Sequence, residues 1–132
     1  MLIIIHLSLM SAATLCLISG VAVAMFKRSK NYWFKAHKTL NTTGLIILLA
    51  GTVMAIVGVT VGGGGHLSGL HQRIGLVTVI LSCVTVFLGY YSIKAKNKTA
   101  LLALHRWLGR LSVLGVLFVL ILAQLSLHRR NN

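Results

Sequence analysis

The sequence has no aspartate, no glutamate and no proline in 132 residues. Carboxylate acid/base pairs, hard-cation cages and acidic proton relays all need Asp or Glu, so those mechanisms are excluded and a proton-coupled transporter is disfavoured. Without proline no helix carries an enforced interior break. There are two cysteines, Cys16 and Cys83, both inside apolar runs, where a free thiol behaves as a small hydrophobe. No C-x-x-C-H and no C-x-x-C spacing occurs, so neither a covalently attached haem nor a cysteine zinc site is indicated.

What the chain does have is apolar length. Hydrophobic residues make up 57% of it, arranged in four stretches that each exceed the roughly 20 residues a helix needs to cross a bilayer. In lipid every backbone polar group must be satisfied within the structure, and with little strand-like alternation a helical bundle is favoured over a barrel. The pattern predicts helices over about 2–26, 32–60, 68–93 and 99–127. The run Gly62 to Gly65 separates the second span from the third, because four consecutive glycines lose too much backbone entropy to stay helical. The expected fold is an all-α, integral membrane, antiparallel four-helix bundle forming one domain over residues 1–132. The first span has basic residues after it and none before it, the reverse of a secretory signal, and is read as retained.

Thirteen Lys and Arg give a formal charge of +13. They flank the apolar spans and form no exposed basic face, so lipid headgroups are the expected partner and nucleic acid is not. Lys27, Arg28, Lys30, Lys35 and Lys38 cluster between the first two spans, and Lys94, Lys96, Lys98, Arg106 and Arg110 between the last two. The other side holds Arg73, Arg129 and Arg130. The positive-inside rule then puts the basic loops in the cytoplasm and both termini outside it, in a membrane expected to be a bacterial or archaeal cytoplasmic (inner) membrane. Tyr32, Trp33 and Trp107 sit where interfacial aromatics belong.

This topology gives four histidines a meaning. His6 and His71 share the outer level, His37 and His105 the inner one, and each pair comes from alternate helices, which lie diagonally across an antiparallel bundle. Two imidazoles facing each other across a core are what the opposite axial positions of a haem require, so the reading is two non-covalent haems, with His6, His37, His71 and His105 as iron ligands. Haems also need space, and each histidine heads a face of small residues. These include Gly44 and Gly58 after His37, Gly75 after His71, Gly109 after His105 and Gly20 after His6. Hairpin counting sets Gly20 and Gly89 near the inner histidines and Gly58 near His71. The same stripes also suit close helix packing in a membrane. Arg73 outside, and Lys38, Arg106 and Arg110 inside, are candidate partners for haem propionates, and equally candidate lipid anchors. Each ligand's second ring nitrogen is expected to donate to a backbone carbonyl or hydroxyl, no carboxylate being available. Gln124 could reach the outer haem or a quinone, or make a helix contact, and His66 and His128 fall outside the pattern and are read as unligated.

These residues resemble the cytochrome b561 family, and within it the DOMON-linked ferric-reductase-like transmembrane domains. The resemblance is carried by His6, by Trp33-Phe34-Lys35-Ala36-His37, by Gly65-His66-Leu67-Ser68-Gly69-Leu70-His71 leading into Ile74-Gly75, and by Leu104-His105-Arg106-Trp107-Leu108-Gly109-Arg110. It covers nearly the whole chain. It implies two b-type haems, paired as the topology already pairs them, and electron transfer across the membrane. Family members commonly carry further helices and a fused extracellular domain, neither of which is present in this sequence, and that leaves the electron partners open.

With both axial positions filled, the irons would have no site for oxygen or substrate, which favours an electron-transfer cytochrome over a self-contained oxidoreductase. The expectation is a subunit of an oligomer or complex, relaying electrons between a quinol or cytoplasmic donor and an extracytoplasmic acceptor. Two alternatives stand beside it: a haem-free scaffold subunit, and a ferric- or ascorbate-type transmembrane reductase.

Overall fold

The computed structural model describes the backbone of residues 1–131 and the side chains of residues 1–125; His128, Arg129 and Arg130 lie outside the described side chains. Four helices follow one another: α1 (Leu2–Phe26), α2 (Trp33–Val61), α3 (Leu70–Lys94) and α4 (Lys98–Asn131). All four are long and apolar enough to cross a membrane. The first three match the sequence pattern to within two residues, and α4 runs four residues beyond the expected end at Leu127.

The helix ends show how a chain without carboxylates is punctuated. No helix has an acidic residue in its first turn. At the start of α3 the amide of Gln72 substitutes for a capping carboxylate: its Oε1 accepts from the Ser68 backbone N–H at 2.9 Å. The end of α2 is a glycine cap. Gly63 takes a left-handed φ of 66°, the Gly64 N–H donates to the Val59 carbonyl at 3.0 Å and the Gly63 N–H to the Thr60 carbonyl at 3.2 Å. That is the bonding of a Schellman motif, and it turns the glycine run into a defined stop. Across the same loop Arg73 Nε donates to the Leu67 carbonyl at 2.8 Å.

The helices stand in ring order. Among the described residues α1 packs along α2 and α3 along α4 extensively, α1 meets α4 and α2 meets α3 sparingly, and neither α1 with α3 nor α2 with α4 approaches backbone to backbone. The bundle is therefore two tight hairpins set apart from each other, with α1 and α3 on one diagonal and α2 and α4 on the other. Along the loose α2–α3 seam the Thr42 and Tyr90 hydroxyls share a 2.8 Å hydrogen bond. Within the second hairpin Thr85 and Ser112 are bonded at 3.1 Å.

The buried apolar centre is a single layer built from Ala13, Leu17, Leu48, Val79 and Val116. Large apolar side chains such as Leu15, Ile46, Val77, Phe87 and Leu114 point outward and are exposed. In water that surface would be unstable, whereas in lipid it is the expected outer face, so the chain is an integral membrane protein.

Candidate functional site

The ring order brings the four histidines together in two pairs across the gap between hairpins. His6 on α1 faces His71 on α3, with ring centres 6.3 Å apart and planes crossed at 86°. His37 on α2 faces His105 on α4 at 6.0 Å, again crossed at 86°. The two pairs lie on opposite sides of the apolar layer.

The partner helix in each hairpin orients these rings through its backbone. His6 Nδ1 donates to the Gly51 carbonyl at 2.8 Å, His37 Nδ1 to the Gly20 carbonyl at 2.8 Å and His105 Nδ1 to the Thr85 carbonyl at 2.9 Å. For His71 the Val119 backbone is the neighbouring acceptor, but no hydrogen bond to its buried Nδ1 is completed. A donating Nδ1 fixes the neutral tautomer, leaving Nε2 as the nitrogen with a free lone pair. The carbonyl acceptors expected from the lack of carboxylates are therefore present at three of the four rings.

These features fit a metal held by two trans imidazoles. At roughly 2 Å per metal–nitrogen bond, two such rings have their centres about 6 Å apart. No cluster of three or more His, Cys, Asp or Glu exists among the described residues, so each pair could offer a metal two imidazole nitrogens.

The space around the pairs differs. A cavity of about 360 Å³ surrounds His37 and His105, within the range of small-molecule and cofactor sites. The space at His6 and His71 is about 30 Å³, with Leu7, Met10 and Leu120 closing in. Arg28, Lys38, Arg106 and Arg110 all line the inner cavity. Three of the four expected propionate cations are thus at one site. Lys38 lies over the Tyr90 ring, Arg110 over Trp107 and Arg28 over Trp33. Arg73 lies instead at the loop, bonded to Leu67, and does not line the outer cavity.

The glycines divide into two groups. A Cβ on Gly89 would stand 2.9 Å from His105 Cε1, and one on Gly20 would overlap the Asn41 amide. Gly109 lines the inner cavity and Gly75 the outer one. Gly44 packs against Leu17 and Cys16, and Gly58 faces Leu2 and not His71. These two members of the α2 stripe lie at the α1–α2 contact, because every second turn of that face meets α1. His66 is exposed and bonds Thr60 at 3.2 Å, and Gln124 is exposed and lines neither cavity.

Sequence reasoning missed several neighbours of the inner pair. Arg28 reads as one of a loop cluster, and Trp33 as an interfacial anchor, yet the Trp33 indole is 6.5 Å from the His37 ring. Asn41 carried no motif.

The family model for eukaryotic cytochrome b561 matches residues 1–112, a stretch that holds all four paired histidines and every cation at the inner cavity. The chain belongs to the cytochrome b561 family. No curated protein and no solved structure matches it significantly. As a cytochrome b561 it is an integral membrane protein that binds haem b and serves transmembrane electron transfer.

Proposed function

We propose that the chain passes electrons across the membrane by holding two haems b, one between His37 and His105 at the basic end and one between His6 and His71 at the opposite end. The observation that carries this reading is the pairing itself: two diagonal histidine pairs, at 6.0 and 6.3 Å, on either side of one apolar layer. Bound haem supplies reversible one-electron chemistry at its iron.

The chain's own residues do the rest. The Gly51, Gly20 and Thr85 carbonyls hold three rings in the ligating tautomer, and the Leu17, Leu48, Val79 and Val116 layer excludes water between the two levels. Arg28, Lys38, Arg106 and Arg110 offer four positive charges to the propionates of the inner group, and the cavity they line has the volume for a cofactor. Held by an imidazole from each side, an iron there would have no free site for oxygen, and the chemistry supplied would be electron relay. This accounts for the paired rings, which a haem-free scaffold would not need.

The distribution of Lys and Arg supports cytoplasmic basic loops and extracytoplasmic termini. In that orientation a quinol or cytoplasmic donor meets the inner pair and an extracytoplasmic acceptor the outer one, each supplied by a partner subunit.

Reconstituted liposomes with ferricyanide trapped inside and a membrane-impermeant reductant outside test the proposal. Wild-type chain is expected to reduce the trapped ferricyanide, and His37→Ala and His71→Ala each to slow this at least tenfold. Equal rates for wild type and both variants would overturn it.

A further inference from the structure

Each paired histidine has one residue a helical turn further along the same face: Met10 after His6, Asn41 after His37, Gly75 after His71 and Gly109 after His105. Only Asn41 carries a polar side chain. Its Nδ2 donates to the His37 backbone carbonyl at 2.8 Å, which turns the nitrogen end of the amide toward the ring, 3.1 Å from His37 Nδ1. That nitrogen already donates to the Gly20 carbonyl at 2.8 Å, so it cannot also accept from Asn41. The amide therefore acts on the ring through its dipole, with its positive end against the imidazole. The space it occupies is kept open by Gly20, where any Cβ would overlap the amide.

We infer that Asn41 is a positioning residue that raises the electron affinity of the metal held by His37. The inference rests on the reading of His37 and His105 as haem ligands. A carbonyl acceptor alone pushes electron density onto the imidazole and on to the metal, favouring the oxidised state. The positive end of the Asn41 dipole opposes this at short range in a low-dielectric setting, where such contacts are strong. At the corresponding positions after His6, His71 and His105 stand a methionine and two glycines, which carry no such dipole. Asn41 thus makes the inner site a better electron acceptor than its histidine pair alone would be, and distinguishes it from the outer site.

Potentiometric titration of the purified, haem-loaded chain tests this with two substitutions that keep the number and branching of the side chain's heavy atoms. Asn41→Asp places negative charge against Nδ1–H, and is expected to lower one of the two midpoint potentials by at least a tenfold change in the one-electron equilibrium, about 59 mV, leaving the other unchanged. Asn41→Leu removes the dipole and is expected to lower the same potential by less. Unchanged potentials, an upward shift with Asn41→Asp, or equal shifts at both haems would overturn the inference. His37→Ala, assayed in parallel for haem content, separates the two claims: full haem retained there refutes the ligand assignment and the inference with it, whereas loss of one haem there together with unchanged potentials in the Asn41 variants refutes the inference alone.

Discussion

Replacing His105 with alanine is expected to reduce haem content from two per chain to one while leaving the outer site intact. The His105 ring is held by the Thr85 carbonyl, faces His37 at 6.0 Å and borders the inner cavity, so its loss removes one of the two ligands proposed there. The pyridine haemochrome assay measures the content directly. The cavity is about 360 Å³, large enough for added imidazole to enter and take the vacant position, so partial recovery of the second haem with imidazole is expected. That recovery also separates ligand loss from misfolding. His66→Ala is the control: this ring is exposed and bonded to Thr60, and both haems should be retained.

The second large effect concerns a residue that ligates nothing. Gly89 lies under the His105 ring, and a Cβ there would stand 2.9 Å from Cε1 and 3.3 Å from Nδ1. The ring cannot rotate away without breaking its hydrogen bond to the Thr85 carbonyl, which is itself part of the α3 backbone. Gly89→Val is therefore expected to weaken haem binding at the inner site at least tenfold, on the scale of losing a partner that orients a metal ligand. At Gly75 the nearest atom to an added Cβ is Val119 Cγ1 at 3.8 Å, an ordinary contact, so Gly75→Ala should retain the outer haem. Haem content of the two purified variants, compared at equal protein, checks the contrast.

The difference between these glycines shows what the sequence made legible and what it did not. Helix number, the order of the histidines and their pairing follow from apolar length and loop charge, since a 25-residue apolar run in lipid has few alternatives to a spanning helix. The α2 stripe of Gly44, Gly51 and Gly58 was visible too, but one face of small residues serves both a cofactor gap and a helix contact. Only the packing of Gly44 on Leu17 and Gly58 on Leu2 separates the two uses. The acceptors for the ring nitrogens were foreseeable as a class, because no carboxylate exists, but not as positions: a backbone carbonyl leaves no mark on the residue that carries it. Arg28 was concealed by its loop: of the five cations there Lys38 is marked by its place beside His37, whereas Arg28 reaches the same cavity only because the end of α1 brings it there. Asn41 was concealed because its role depends on Gly20, on another helix, leaving room for it.

The unequal cavities have a similar origin. Around His6 and His71 the Leu7, Met10 and Leu120 side chains close in on the space, whereas the inner level is lined by Trp33, Tyr90 and long cations. Nothing in the spacing of the histidines distinguishes these two settings.

The central claim is that each histidine pair grips one haem iron from both sides. Electron paramagnetic resonance of the oxidised, purified chain, quantified per protein, tests it most directly. Rings crossed at 86° in both pairs leave the lower d orbitals of a bis-imidazole iron nearly degenerate, so the account predicts two low-spin ferric centres per chain, both with strongly axial spectra. A high-spin ferric signal, which marks an iron with an axial position left open, or fewer than two low-spin centres in fully haem-loaded protein would contradict it.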